Sequence, residues 1–209
     1  MRELGPIRRL QVQRSSLKTG EKPDRVYDPT PLLPVERLAV TPDGVLGAGG
    51  SGGAGSAEAW IVDVHHRAHP ATKNEDGMHG VSVGFTSHYA AMRERFGKRI
   101  TVGCAGENII ADTGRLVALE ELQDGDGGGG GGGGGVLTVV GRDGTEKVRL
   151  RVLQVAHPCR PFTGFALGSR VDAEVLKSHL QFLDGGMRGF YCVAEGTGVV
   201  EVGDLLLLA

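Results

Sequence analysis

Val148-Arg149-Leu150-Arg151-Val152-Leu153-Gln154-Val155 sets apolar and cationic side chains in alternation over its first five residues. Successive side chains of a strand point to opposite faces, so the stretch predicts a half-buried strand over 148–155. Further runs rich in Val, Ile and Leu predict strands at Ile7–Val12, Val35–Val40, Trp60–Val64, Val81–Phe85, Ile100–Val102, Val136–Val140, Phe190–Ala194, Val199–Val202 and Leu205–Leu208. Many short strands with Gly or Asp between them indicate a mainly β fold, a barrel or a sandwich. Two segments carry helical spacing instead. Tyr89, Met92 and Phe96 follow Ser87 as cap and stop at Gly97, while Ala173, Leu176, Leu180 and Leu183 follow Asp172 and stop at Gly185-Gly186. About two peripheral helices are therefore expected, each packing an apolar stripe on the core.

The 209 residues suit one domain, with 40% hydrophobic residues to build its core. Thirty-six glycines point to much loop. Flexible insertions are expected at about 47–59, which is nearly all Gly, Ala and Ser, and at about 125–135, an almost unbroken glycine run. The glycine run has no Gly-Lys-Ser/Thr ending and no following helix, so it is read as linker and not as a phosphate loop.

A formal net charge of -2 supplies no basic stripe or acidic tail, so neither nucleic acid nor a membrane surface is expected as partner; a small-molecule substrate is. No run approaches the roughly 18 apolar residues of a membrane span. The first 25 residues hold seven Lys/Arg against three Asp/Glu, which leaves an organelle address open beside a cytoplasmic location. Cys104, Cys159 and Cys192 are odd in number and sparse, which argues against a disulfide framework and a zinc site and for a reducing compartment.

Cys159 follows a proline directly after the 148–155 strand, where a thiol can be exposed. Arg160 beside it and His157 two residues earlier would favour thiolate, the form that acts as nucleophile or soft-metal ligand. An inert, packed cysteine is an equal alternative from local sequence. Cys192 reads as packing, and Cys104 as a minor candidate. Gly106-Glu107-Asn108 forms a turn between apolar runs, where an amide and free backbone N–H groups can bind a polar heterocycle or a phosphate; a plain turn fits as well. Arg188, between Met187 and Gly189, can clamp a phosphate. Asp63, His65 and His66 can orient a ligand, but with His69 and His79 they lack the spacing of known zinc motifs.

In this order the stretches resemble the MOSC family, named for the C-terminal part of molybdenum-cofactor sulfurase. Gly106–Ile109 matches the Gly-Glu-Asn-Ile/Leu turn and Pro158-Cys159 the Pro-Cys loop; Gly186–Gly189 and Val200–Asp204 match the closing Gly-x-Arg-Gly and Val-x-Val-Gly-Asp segments. Val62-Asp63-Val64-His65 matches a Gly-Asp-x-His-like turn without its glycine. The resemblance runs from about Val35 to Leu208. It implies a closed or partly closed β-barrel like that of the pyruvate-kinase accessory domain, with the molybdenum cofactor (molybdopterin) at one mouth. Cys159 would be the metal ligand and catalytic residue, with Gly106, Glu107, Asn108, Arg160, Arg188 and His65 holding the cofactor. In some members the cysteine falls a few residues later, where this chain has Phe162.

The activity this implies is reduction of N-hydroxylated compounds, with separate electron-transfer proteins as partners because no flavin, haem or iron–sulfur motif is present. Two alternatives are a sulfur carrier using a Cys159 persulfide and a non-catalytic cofactor-binding module. No pyridoxal phosphate is expected, since the sulfurase domain that binds it would need a far longer chain.

Overall fold

The computed structural model describes residues 1–49, 59–123, 134–168 and 172–209. Most of the two expected insertions lies outside these residues. Strand β1 (Arg2–Gln13) is followed by the short pair β2 (Lys18–Thr19) and β3 (Val26–Tyr27), then by β4 (Leu32–Val35), β5 (Arg37–Thr41), β6 (Gly44–Ala48) and β7 (Trp60–Val62). Next come β8 (Val81–Phe85), helix α1 (Thr86–Phe96), β9 (Ile109–Ala111), α2 (Leu119–Gln123), β10 (Val136–Val140) and β11 (Glu146–Val155). The chain ends with α3 (Arg160–Leu167), α4 (Ala173–Asp184), β12 (Phe190–Ala194), β13 (Gly198–Glu201) and β14 (Leu205–Leu208).

Seven strands close into a barrel in the order β14-β10-β11-β12-β8-β9-β1, because β14 also pairs with β1, and β4 extends β1 at the side. Closure leaves no open edge among these seven. Strand β11 behaves as its alternation requires: Val148, Leu150 and Val152 are buried while Arg149 and Arg151 face outward. A register shift between Val152 and Gln154 in the pairing with β12 then turns Val155 inward. These valines and leucines join Ile7, Leu10, Val83, Phe85, Phe190 and Cys192 in the barrel core. A second sheet, β13-β5-β6-β7, packs beside the barrel.

A second apolar cluster forms under α1, α3 and the β2–β3 pair, from Tyr27, Tyr89, Met92, Cys104, Phe162 and Leu183. It is the floor of the site described below.

Several elements depart from the sequence reading. Four helices are present among the described residues, not two. The chain after Pro158 forms α3, not loop, and Pro161 is tolerated because it falls in the first turn, where no helical carbonyl awaits its missing N–H. Ser87 is not a cap: Phe85 holds that position without a side-chain hydrogen bond. Ile100–Val102 is no strand; it lies in successive turns, with Ile100 N donating to Gly97 O, and its apolar character reflects the burial of Ile100. Gly47 and Ala48, expected in a linker, belong to β6 and pair with β7.

Candidate functional site

The site grows from the one parallel pairing described, β8 with β9 (Val83 opposite Ile109). It places the turn Gly106–Asn108 against Ser82. Asn108 Oδ1 accepts from Ser82 N (3.0 Å) and Ser82 Oγ (2.8 Å), and Asn108 Nδ2 donates to Asp63 Oδ2 (3.0 Å) and Gln11 O (3.3 Å). The amide is thus engaged within the protein at both ends, so Asn108 holds the turn and has no free group to offer a ligand.

Asp63 is fully buried and receives four N–H bonds. Gln13 N (2.6 Å) and Asn108 Nδ2 reach Oδ2, while His65 N (2.8 Å) and His65 Nδ1 (3.1 Å) reach Oδ1. Its carboxylate ties β1, the segment after β7 and the Asn108 turn into one unit. Fixing His65 through Nδ1 leaves Nε2 as the ring nitrogen available to a ligand.

Glu107 is buried between two glycines. A Cβ at Gly84 would stand 2.9 Å from Glu107 Cγ, and one at Gly189, whose φ is +78°, would stand 3.1 Å from Cγ and 2.3 Å from Val83 O. Only glycine suits both the space and the backbone at 189. Tyr89 Oη of α1 donates to Glu107 Oε2, whereas Oε1 has no partner in the protein. Burial raises the Glu107 carboxyl from 4.5 to about 6, against the lowering effects of the Tyr89 hydrogen bond and the charge of Arg188.

Arg188 lies at the back of the same site. Nη1 donates to His157 O (3.0 Å) and Nη2 to Ala105 O (3.1 Å), and the guanidinium lies 4.6 Å over the Phe162 ring. Its Nε, also buried, has no partner. Position 162 is therefore apolar support for Arg188, packed edge-on against Tyr27 with ring centroids 5.1 Å apart.

These groups wall a pocket of about 200 Å³. Gly106, Glu107, Arg188 and His65, four of the residues that the resemblance assigns to holding the cofactor, line it. So do Lys18, Arg25, Tyr27, Lys73, Ser82 and Tyr191, which the sequence reading did not single out. Four long-chain cations and one imidazole thus face the pocket beside a single carboxylate, Glu107. The overall charge of -2 conceals this local excess.

Cys159 and Arg160 do not line the pocket. Arg160 is exposed as the first residue of α3, and His157 is also exposed, with Nδ1 held 2.8 Å from Asp184 Oδ1. Cys159 caps α3 and packs at the edge of the second apolar cluster, close enough to influence the charges on Tyr27, Arg188 and Tyr191. Cys104 and Cys192 are buried, and burial pushes their thiols up to about 11 and about 12. Cys159 alone of the three is partly accessible. No group of three or more His, Cys, Asp or Glu able to hold a metal occurs among the described residues, and no helix among them is long and apolar enough to cross a membrane.

A closed seven-stranded barrel carrying a cation-rich pocket defines a barrel of the MOSC type. The MOSC domain family matches residues 79–206, and the chain belongs to that family. Strands β1 and β4–β7 precede the matched stretch, yet β1 completes the barrel. No curated protein matches the chain. Among solved structures it is similar to the YuaD protein of Bacillus subtilis (14% identity, 96% of each chain covered, TM-score 0.51). It is also similar to YiiM of Geobacillus stearothermophilus (18% identity, 98% of this chain and 75% of that one, TM-score 0.50). A third structure, of a hypothetical protein, matches at 14% identity over 100% of this chain and 68% of the other, with a TM-score of 0.53. At these identities the likeness concerns the fold.

Proposed function

We propose that the pocket binds the molybdenum cofactor and that the protein reduces N-hydroxylated compounds. The observation that carries the reading is that Glu107 and Arg188, which both line the pocket, each keep one buried side-chain atom, Oε1 and Nε, without a partner in the protein. A charged group left buried without a partner is expensive, so such atoms are rare unless a ligand completes them. One acceptor and one donor suit the hydrogen-bonding edge of a pterin, and the surrounding cations suit its phosphate. At about 200 Å³ the pocket is smaller than the roughly 300–1,000 Å³ of sites that enclose a drug-sized ligand, so the remainder of the cofactor would lie across the mouth.

When bound, the cofactor would supply the two-electron chemistry that cleaves the N–O bond, with electrons delivered by a separate electron-transfer protein. The chain's own residues bind, orient and handle protons. Arg188 Nε donates to the heterocycle. Glu107 holds a proton up to about pH 6 and, once ionised, accepts one from the ligand. His65, fixed by Asp63, offers Nε2 to the pocket. Cys159 lies outside the pocket lining and would hold the metal only where the cofactor extends across the mouth; burial seals off the other two thiols.

The test is elemental analysis of protein made in a host that synthesises the cofactor, beside turnover of an N-hydroxylated substrate with a chemical reductant. Molybdenum near one per chain is expected, with turnover abolished in Cys159→Ser and kept in Cys104→Ser and Cys192→Ser. Protein free of molybdenum sinks the reading. The position of Cys159 outside the pocket lining favours one second reading, a sulfur carrier, which predicts a single extra sulfur atom on Cys159 by mass spectrometry.

A further inference from the structure

We propose that Tyr191 is a catalytic residue whose phenol O–H donates a hydrogen bond to the oxygen of the substrate's N–OH group. The proposal rests on the pocket being the place where N-hydroxylated compounds are reduced. Strand β12 sets the direction of the side chain. Phe190 and Cys192 point into the barrel core, so Tyr191 between them points outward, on the face where its cross-strand partner, Ser82 of β8, lines the pocket. His79 fixes the ring, meeting it edge-on with centroids 4.7 Å apart and planes at 89°. His79 is held in turn: its N donates to Asn74 Oδ1 (2.7 Å), and its Nε2 lies 2.9 Å from Nε2 of Gln154, the partner of Tyr191 on β11.

Four hydroxyl-bearing residues line the pocket, and three are engaged within the protein. Ser16 Oγ donates to Lys18 O (3.0 Å), Tyr27 Oη to Cys104 O (2.8 Å) and Ser82 Oγ to Asn108 Oδ1 (2.8 Å). Tyr191 Oη makes no hydrogen bond among the described residues, and unlike Glu107 Oε1 and Arg188 Nε it is not sealed in the wall. It lies close enough to Arg188, Glu107 and Cys159 to interact with the charge of each, beside both the groups that hold the heterocycle and the accessible thiol. Burial raises the phenol above its ordinary value of 10.0, against the charge of Arg188, so it keeps its proton and serves as a donor. Breaking the N–O bond puts negative charge on the departing oxygen. Two electrons from the electron-transfer partner and two protons from solvent convert R–NH–OH into R–NH₂ and water, and a donor already in place at that oxygen lowers the barrier without changing the balance.

The experiment uses the full chain from a host that synthesises the cofactor and separates binding from turnover. N-phenylhydroxylamine and aniline, both uncharged at neutral pH and different by one oxygen, are titrated by calorimetry with no reductant present. The parent should bind the hydroxylamine roughly tenfold more tightly than aniline, and Tyr191→Phe should bind the two alike. With a chemical reductant added, kcat for the hydroxylamine should fall roughly a hundredfold in Tyr191→Phe at unchanged molybdenum content. The variant keeps the ring against His79, and matched melting curves verify its fold. No saturable binding, equal affinity of the parent for the two compounds, or the parent's preference surviving in Tyr191→Phe overturns the assignment. Parent protein that lacks molybdenum yet prefers the hydroxylamine through Tyr191 would refute the reduction reading and leave the donor standing. Molybdenum-loaded parent that turns over, with Tyr191→Phe unimpaired in both binding and kcat, would do the opposite.

Discussion

Replacing Glu107 by Gln isolates the energetic consequence of burying an acid with one oxygen unpartnered. The carboxyl titrates at 4.5 when free and at about 6 in the fold, chiefly because burial disfavours its charged form. A difference of about 1.5 in pKa corresponds to about 2 kcal/mol. Because the folded value is the higher one, this stability is complete below pH 4.5 and is lost as the pH rises through 6. His88 acts in the opposite sense over the same range. It is buried, and burial lowers its pKa from 6.5 to about 4, so its contribution of about 3 kcal/mol is complete above pH 6.5 and lost as the pH falls through 4. The larger effect wins, and the ligand-free parent should gain about 1 kcal/mol of stability, from these two groups, between pH 4 and 7. Glu107→Gln keeps the acceptor for Tyr89 and removes only the ionisation. Any fixed penalty for its new NH₂ group applies at every pH. Urea unfolding at a series of pH values should therefore show the variant gaining on the parent by about 2 kcal/mol from pH 4.5 to 7.5. A pH-independent difference would refute the reasoning and mean that solvent or a rearranged Arg188 already neutralises Glu107 in the fold.

Asp63→Ala should lower stability by about 3 kcal/mol or more, a drop of roughly 10 °C in melting temperature, because four N–H donors lose a fully buried acceptor. Circular dichroism melts check it, and an unchanged melting temperature would remove Asp63 as the hub of the turn. Arg188→Gln should cost about 2–3 kcal/mol in urea unfolding through the carbonyls of His157 and Ala105 and the Phe162 stack. It should also move the Glu107 titration above 6, since Arg188 lowers it; parent-like stability would mean the arginine serves a ligand alone. Gly189→Ala, which adds a methyl group 2.3 Å from Val83 O at a φ of +78°, should leave little folded protein, and normal yield of soluble, cooperatively melting variant would contradict the packing around Glu107.

The barrel was largely legible because its strands are long enough to alternate. Val148–Val155 and Phe190–Ala194 carry the pattern of a wall with one face in the core, and Val81–Phe85 alternates in sequence although all five of its residues are buried. Strand β6 was not, because Gly44, Gly47 and Ala48 lead into a Gly/Ser tract and give no apolar period. Gly47 is small for a packing reason: a Cβ there would stand 2.8 Å from Val12. Pro161 concealed α3 by resembling a loop signal while occupying a tolerated helical position. For the pocket, Gly106, Glu107, Arg188 and His65 were legible as unusual residues in turns, whereas Lys18, Arg25 and Lys73 have no local signature. The one available trace was the basic excess of the first 25 residues. Two of its seven cations line the pocket.

The parallel pairing of β8 with β9 accounts for why the buried acid lies where it does. Parallel neighbours need a crossover, and here it consists of α1 and the turns that follow it. Tyr89, the partner of Glu107 Oε2, comes from the crossover helix, and Glu107 itself from the crossover's last turn before β9. Ala105 N, in the same return, donates to Tyr89 Oη (3.2 Å). Acid, hydroxyl and backbone donor are thus delivered by one continuous unit, residues 81–111, and their mutual geometry follows from closing that unit on the barrel. Arg188 reaches them from the turn before β12, the strand that flanks β8 on its other side. Alternation in β8 cannot reveal whether its neighbour runs parallel or antiparallel, and so the sequence could display Glu107 as a turn residue without indicating that a tyrosine eighteen positions earlier would meet it.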